Sequence, residues 1–385
     1  MAMYLALKEI WRARGRFILV SGVIALITML VLFVAGLAEG LGSGNREFLE
    51  KLDADLVVYQ AKTELQSTTS RIATSNLNEL RRIDGVRDVG PIGLSNASLL
   101  YEGAAEPLNI SIVGVEPGQP GEPPVFEGES FRTRRASEAV IDRNVAVRTG
   151  IKVGDTITIK SIQGTDEQFY PLTVVGVTDG RQNFLQPSVI LPYRTWDKVR
   201  PQGVPGGDPN AELVANIAAV QLDDPAQWEQ MAARIQTEAP DFEAVDRVTA
   251  YKATPGYKEQ QRTLDTQRYF ALLIGILVIG GFFQILTLQK VAQIGMLKAI
   301  GASNWVIGLA SIMQITAVTF LGVAIGAAAT LLLSFGFPPD FPIVFAPNAI
   351  GVALISLLLI GPLGGLVSVR YSLRVEPLTA LGLAQ

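Results

Sequence analysis

Four long stretches of this chain contain no charged residue, and they limit what the chain can fold into. They cover residues 17–38, 269–288, 305–337 and 341–369. An α-helix rises about 1.5 Å per residue, so roughly 20 apolar residues cross the ~30 Å hydrocarbon layer of a membrane. One stretch lies near the N-terminus and three lie in the last third, with about 230 more polar residues between them. The sequence therefore predicts one span, a large water-soluble domain and three further spans.

The segment boundaries follow from these stretches and from the residues that flank them. The first stretch exceeds the ~7–15 apolar residues of a signal peptide, so we predict that it is retained as a helix. Residues 1–16 have helical apolar spacing, and they either lie along the inner membrane surface or extend the first span. The other predicted segments are span 1 (17–40), the outer domain with its stalk (41–268), span 2 (269–288), a cytoplasmic coupling segment (289–304), span 3 (305–335), span 4 (345–369) and a cytoplasmic tail (370–385).

The long polar stretch alternates short strand patterns with short helical patterns. Strand–helix–strand order occurs near residues 55–92 and again near 214–248, which predicts a split βαβ layer. Glycine-separated strand patterns between them predict an inserted β-rich subdomain at about 125–200. Residues 86–92 and 97–101 each predict a separate strand. The predicted fold class is an α-helical membrane protein with four transmembrane helices plus an α+β extracytoplasmic domain.

The positive charges that flank the spans predict the orientation of the chain. Segment 1–16 has a net charge of +3, segment 289–304 of +2 and segment 370–385 of +1, whereas the connection around Asp340 has no cation. Short basic segments stay on the cytoplasmic side of a membrane. We therefore expect both termini in the cytoplasm and a net charge of −10 on the remainder, nearly all of it on the outer domain. An acidic outer domain argues against nucleic acid as a partner.

Two residue types are missing from the chain, and their absence limits its chemistry. There is no histidine and no cysteine. The commonest general base, the commonest metal ligand and any disulfide or thiolate site are therefore excluded. No segment matches the phosphate-binding pattern G-x-x-x-x-G-K-[ST]. We predict no metal site and no catalytic residue in this chain, and we expect any ATP hydrolysis in a separate subunit.

The segment between spans 2 and 3 is unusually apolar for a cytoplasmic loop. Its sequence is KVAQIGMLKAIGAS (residues 290–303), which predicts a short helix that ends at Gly301. Ile294, Met296, Leu297 and Ile300 would be partly exposed unless something covers them. Two readings stay open: the segment is a docking site for another protein, or it is a hairpin packed against its own spans.

The glycines of the third span have the spacing of a helix-packing motif. Gly322 and Gly326 are four residues apart, so they lie on one helix face. Small residues at this spacing let two membrane helices approach closely. Glycine is also common in spans without such a role, and this alternative stays open.

Several of these segments resemble the MacB/FtsX-type permeases of ABC transporters. In that family the loop after span 2 resembles R-x-x-E-I-G-x-x-x-A-I/L-G-A, and QIGMLKAIGA (residues 293–302) matches it with Gln293 in place of the family's Glu. The C-terminal RVEPLTAL (374–381) resembles the family's closing R-x-x-P-x-x-A-L. LDADLVV (52–58) and RGRF (14–17) are most similar to the HrtB haem-exporter and DevC branches.

The resemblance implies partners and functional residues. It implies a homodimer in the lipid membrane that works with two copies of an ABC ATPase subunit, which binds Mg-ATP. Gln293 departs from the family pattern, which leaves open whether one charge contact to the ATPase is lost. The implied ATPase-coupling residues are Gln293, Ile294, Gly295, Leu297, Lys298, Ile300 and Gly301, with Arg374 and Pro377 in the tail.

The resemblance also implies transport of an amphiphilic substrate such as haem, a lipid or a hydrophobic drug. Without histidine, haem iron would need a ligand such as Met29, a tyrosine or Glu39, although Met29 also fits plain helix packing. Two other functions stay open. The complex could transmit ATP-driven motion to an extracytoplasmic adaptor or cell-wall enzyme, or the chain could be an ATP-independent receptor or scaffold.

Overall fold

The structure is a computed structural model that describes residues 14–101, 106–202, 212–338 and 341–374. Most of the predicted N-terminal helix and Pro377 of the tail lie outside these residues. The chain divides into two compact units. Leu41–Gln260 form one, to which the name outer domain (predicted as 41–268) is restricted from here on, and the segments on either side form the other, here called the membrane unit.

The described helices and strands are numbered in chain order. The helices are α1 (Arg14–Glu50), α2 (Leu77–Leu80), α3 (Arg143–Thr149), α4 (Tyr193–Val199), α5 (Trp228–Glu238), α6 (Arg247–Lys252), α7 (Tyr257–Gln289), α8 (Val291–Ala299), α9 (Asn304–Ser334) and α10 (Pro347–Arg374), with a 3-10 turn at Pro225–Gln227. The strands are β1 (Leu56–Gln60), β2 (Ile72–Ala73), β3 (Val86–Leu100), β4 (Leu108–Val115), β5 (Glu127–Gly128), β6 (Glu138–Asp142), β7 (Thr156–Gln163), β8 (Asp166–Thr178), β9 (Ser188–Pro192), β10 (Val214–Ala215), β11 (Ile217–Leu222) and β12 (Phe242–Asp246).

The membrane unit contains the four predicted spans. Among the described residues, α1, α7, α9 and α10 are the helices long and apolar enough to cross a bilayer. Their buried side chains form one cluster that includes Phe17, Ile24, Phe283, Ile315 and Leu357. The four-helix part of the predicted fold class is therefore confirmed. Two helices extend far beyond the predicted spans, because α1 ends at Glu50 and α7 begins at Tyr257.

The outer domain contains the predicted split βαβ layer. Four antiparallel strands follow each other in the order β12-β1-β11-β3. Helix α5 lies between β11 and β12 in the chain and buries Met231, Ala232 and Ile235. Strand β1 has the burial of a central strand, because Leu56, Val57, Val58 and Tyr59 are all buried.

Four strands of the predicted β-rich insert (about 125–200) form a six-stranded barrel together with β3 and β4, which lie before that range. Strand β3 pairs with β4, β4 with β9, β9 with β6, β6 with β8, β8 with β7, and β7 again with β3. The α+β prediction is confirmed, and the structure adds that β3 belongs to both the layer and the barrel. The two separate strands predicted at 86–92 and 97–101 are one continuous strand, Val86–Leu100.

The barrel strands β3 and β4 leave room for one large side chain. Trp196 of α4 is buried, and its indole Nε1 donates hydrogen bonds to the Ile112 carbonyl oxygen at 3.2 Å and to Ser95 Oγ at 3.0 Å. Gly93 and Gly114 lie under the ring, and a Cβ at Gly114 would stand 2.5 Å from Trp196 Cγ. These two positions therefore require glycine.

Candidate functional site

The predicted coupling segment consists of the short helix α8 and a tight turn that leads into α9. Helix α8 ends at Ala299, and Gly301 follows with a φ of +99°, which is in the left-handed region that favours glycine. The Gly301 N–H donates to the Lys298 carbonyl oxygen at 3.0 Å, and the Ala302 N–H donates to the Leu297 carbonyl oxygen at 3.0 Å. Ser303 then caps α9 by accepting from the Val306 N–H. The turn is therefore fixed by backbone bonds and one cap.

One face of α8 packs against its own spans. Ile294 and Gly295 are buried, and Leu297 is half-buried. Ile294 and Leu297 line a cavity of about 100 Å³, together with residues of α7, α9 and α10 such as Phe283, Gln314, Ser368 and Ser372. This face matches the reading of α8 as a hairpin packed on the spans.

Lys298 ties α8 to the end of α10. Its Nζ donates to the Leu373 carbonyl oxygen at 2.9 Å. Partial burial lowers the pKa of Lys298 from its ordinary value. Arg374, the last described residue, follows Leu373 directly and is exposed. The structure thus brings the start of the tail next to α8.

The opposite face of this segment is open. Met296 is 58% exposed, Ile300 is 78% exposed and Trp305 is 77% exposed. We call these three residues the coupling face. Gln293 and Gly301 are exposed as well. One face of the segment therefore packs inward, as the hairpin reading predicts, whereas the other face is exposed, and docking of another protein on it stays a prediction.

Trp305 is a residue that our reading of the sequence missed. It stands at the first position of the third charge-free stretch, where it looks like the start of a span. The available signal was its location directly after the predicted coupling segment (289–304), since tryptophan is enriched both at membrane surfaces and in protein interfaces.

Gly322 and Gly326 lie where α9 crosses α1. A Cβ at Gly322 would stand 2.6 Å from Ile24 Cβ, and a Cβ at Gly326 would stand 2.5 Å from the Ala25 carbonyl oxygen. Real Cβ atoms do not approach this closely, so the two helices could not keep their separation with any larger residue.

The two candidate haem ligands are far apart. Met29 and Glu39 are both half-buried on α1. They are ten residues apart, which corresponds to about 15 Å along a helix axis. One chain therefore cannot bind one iron through both side chains. Among the described residues, no group of three or more acidic, histidine or cysteine side chains could hold a metal ion.

The outer domain holds the C-terminal end of α1 through a loop of the barrel. The loop comprises residues 179–187, between β8 and β9, and we call its contact with α1 the stalk junction. The Phe48 N–H donates to the Gln182 carbonyl oxygen at 3.2 Å, and the Gln182 N–H donates to Glu47 Oε2 at 3.2 Å. The Leu185 N–H donates to the Gly44 carbonyl oxygen at 3.0 Å. Bonds in both directions fix the loop to the helix.

Charged side chains reinforce the stalk junction. Lys51 Nζ donates to the Gly180 carbonyl oxygen and lies 3.6 Å from Asp179 Oδ2. Arg181 is buried, its Nε donates to Asp179 Oδ1 at 2.7 Å, and its Nη1 donates to the Lys51 carbonyl oxygen. Two loop residues, Phe184 and Leu185, have positive φ angles of 50° and 64°. Such angles are costly for these residue types, so the surrounding contacts must hold the loop in place.

Asp142 is a buried carboxylate beside this junction. It caps α3 by accepting from the Val145 N–H at 2.7 Å, and it also accepts from the Arg181 N–H at 3.3 Å. Burial raises the pKa of Asp142 to about 6, although hydrogen bonds to Val145, Ser188, Asn144 and Arg181 lower it in part.

We expect Asp142 to titrate near pH 6 in the full-length protein. The folded chain holds this proton more tightly than the unfolded chain between pH 3.8 and about 6. The contribution of Asp142 to the free energy of unfolding is thus greatest below this range, and up to about 3 kcal/mol of it is lost as the pH rises through 6. Infrared difference spectra over this range should show a carboxylic acid band that Asp142→Asn lacks. Identical spectra for the two proteins above pH 5 would contradict the assignment.

Four spans, a domain inserted after the first of them and a short helix after the second define a class of membrane permease. The sequence profile of the MacB-like periplasmic core domain matches residues 17–238, and that of the FtsX-like permease C-terminal region matches residues 269–377. The chain belongs to the MacB/FtsX-type family of ABC transporter permeases. The predicted family is thereby confirmed.

Relatives whose names refer to transport match a large part or nearly all of this chain. The hemin transport system permease HrtB of Staphylococcus epidermidis is 24% identical over 380 residues, which covers 99% of both chains. The macrolide export ATP-binding/permease protein MacB of Escherichia coli K12 is 24% identical over 275 residues, or 66% of this chain and 40% of MacB. A solved extracellular domain of the YknZ transporter from Gram-positive bacteria covers 50% of this chain and 99% of that domain at 14% identity, with a TM-score of 0.35.

Proposed function

We propose that this permease works with a separate Mg-ATP-binding ATPase to export an amphiphilic substrate across or out of the cell membrane. The observation that carries the proposal is the similarity to HrtB over 99% of both chains, because it includes the spans, the outer domain and the coupling segment together. Haem is a candidate substrate, since that relative is described as a hemin transport permease. A homodimer with two ATPase copies fits the symmetry expected of such complexes.

The coupling face supplies a docking surface for the ATPase. Met296 on α8, Ile300 just after it and Trp305 at the start of α9 expose large apolar side chains, and Lys298 bonds α8 to the end of α10. An exposed apolar cluster is typical of a protein interface. The basic segments around it favour a cytoplasmic location, with both termini on the same side.

A route for motion to the outer domain begins at the C-terminal end of α1. The bonds of the stalk junction fix Gly44, Glu47 and Phe48 to the loop of residues 179–187. A shift of this helix end would pull on the connection between β8 and β9. We infer that ATP-driven movement reaches the barrel through this loop.

The spans themselves favour an amphiphile over an ion. In the charge-free stretches there is no acidic or basic side chain, and ion relays generally need such groups within the membrane. If haem is the substrate, the roughly 15 Å between Met29 and Glu39 means that one chain supplies at most one of these two as a ligand.

Reconstitution tests the proposal. The permease and the ATPase encoded beside its gene are placed in liposomes loaded with haem, a fluorescent lipid or a hydrophobic dye, and transfer to an acceptor outside is followed. We expect Mg-ATP-dependent transfer of at least one of these amphiphiles and none with a hydrolysis-deficient ATPase. A stable, ATP-hydrolysing complex that transfers none of them would overturn the transport function.

Haem itself is tested separately. Haem titration of the purified wild type, Met29→Ala and Glu39→Ala follows the Soret absorption band. A spectral shift that one variant loses would identify the ligand. No shift in any of the three samples rejects haem as the substrate and leaves the other amphiphiles.

A second candidate function is transmission of motion without transport. The stalk junction favours it, because its reciprocal hydrogen bonds and ion pairs transmit force whether or not a substrate is present. Capture of an extracytoplasmic partner whose activity depends on the ATPase, together with no amphiphile transfer, would support this function.

A further inference from the structure

The barrel carries an open cleft that the proposed function does not use. It has a volume of about 620 Å³, within the ~300–1,000 Å³ typical of small-molecule sites. The cleft is formed by Phe126 and strand β5, by helix α3, by the turn that follows α3 and by the end of β8. Its principal lining residues are Phe126, Glu127, Arg143, Val147, Lys152 and Asp179.

The rim of the cleft is apolar and exposed to solvent. Phe126 is 70% exposed and Val147 is 61% exposed. Single exposed apolar residues are common on protein surfaces, but Phe126 and Val147 come from two different chain segments and line one concave site. The apolar part of a ligand can therefore bury more surface in this cleft than it could on a flat surface.

The charges in the cleft favour an anion. Arg143 and Lys152 are exposed, and within the described residues neither forms an ion pair. Of the two acidic lining residues, Asp179 already binds Arg181 Nε at 2.7 Å and lies 3.6 Å from Lys51 Nζ. Glu127 is the remaining acid, so the cleft has an excess of positive charge on a domain that is acidic as a whole.

We propose that this cleft binds an amphiphile with one anionic head group. The head group pairs with Arg143 and Lys152, and the apolar body lies against Phe126 and Val147. The physiological role of the site rests on the proposed export function, whereas the binding itself needs no ATPase. Asp179 lies both on the wall of the cleft and in the stalk junction. Movement of α1 would therefore alter the cleft.

Photolabelling of the full-length protein in phosphatidylcholine nanodiscs tests the site. The probe is dodecanoate with a diazirine at its apolar end, and labelled peptides are identified by mass spectrometry. We expect saturable labelling within residues 126–128 or 143–153, displaced by dodecanoate but not by dodecanol. Exposed ion pairs contribute modestly, so Arg143→Gln with Lys152→Gln should weaken binding about tenfold and Glu127→Gln should strengthen it about twofold.

The chain offers a matched control on the same helix. Arg148 belongs to α3 but does not line the cleft, so Arg148→Gln should leave labelling unchanged. Weaker labelling in nanodiscs that also contain phosphatidylglycerol would identify an anionic membrane lipid as the ligand, and unchanged labelling would identify a free amphiphile. Labelling that is not saturable, is displaced equally by dodecanol or is unaffected by the charge variants overturns the proposal. Because no ATPase is present, failure here leaves the export function untouched.

Discussion

Met296→Asp combined with Ile300→Asp will abolish co-purification of the ATPase with this permease. Both side chains are more than half exposed on the coupling face, so aspartate at these positions should change the free energy of unfolding only slightly. In a complex, each change removes about 1.5–3 kcal/mol of apolar burial and adds a carboxylate that must lose water. The expected weakening is at least roughly 100-fold. Affinity purification from cells that express both subunits measures it.

The position of each substitution decides what this experiment reports. Leu297 is half-buried and lines the cavity between the spans, so Leu297→Asp should lower the stability of the membrane unit as well as docking. Val248→Asp is the matched control, because Val248 is an apolar residue of the outer domain with 43% exposure. Wild-type ATPase recovery with the Met296/Ile300 variant, at unchanged thermal stability, would show that the ATPase docks elsewhere.

Gly326→Ala will destabilise the membrane unit, whereas Gly281→Ala will not. A Cβ at Gly326 would stand 2.5 Å from the Ala25 carbonyl oxygen and 2.6 Å from Thr28 Cβ, so α1 and α9 must separate. Such overpacking costs about 1–3 kcal/mol. A Cβ at Gly281 meets no atom within 4 Å, and alanine is the better helix former by about 1 kcal/mol.

Thermal unfolding in one detergent compares these two glycine variants with the wild type. The Gly326 variant should unfold at a lower temperature, and the Gly281 variant at the same temperature or a higher one. Equal unfolding temperatures for all three proteins would mean that the α1–α9 contact does not limit the stability of the bundle.

The spans and the split βαβ layer were predictable because their signals are local. Charge-free stretches identify α1, α7, α9 and α10 directly, and the order of strands and helices identifies the layer. Closure of the barrel was not predictable in this way. It depends on pairings between distant residues, such as Ser98 with Lys160 and Ser111 with Ser188, and no local pattern records them.

In the candidate sites too, some features follow from consecutive residues, whereas others depend on contacts between residues that are distant in the sequence. The coupling segment was predictable from fourteen consecutive residues, but which of its apolar side chains face outward depends on contacts with α7, α9 and α10. The cleft on the barrel had no sequence signal, because Phe126, Arg143 and Lys152 come from three different segments. Their convergence is a property of the fold.

Strand β3 is shared by the layer and the barrel, which places an unusual constraint on its length. Its first half pairs with β11 up to Ile92, and its last residues, from Ser98, pair with β7. Adjacent strand residues point to opposite faces, so a one-residue insertion between Ile92 and Ser98 would turn every later side chain to the wrong side. Substitutions at positions of this stretch other than Gly93 can accumulate, but insertions and deletions should be absent from any functional descendant of this chain.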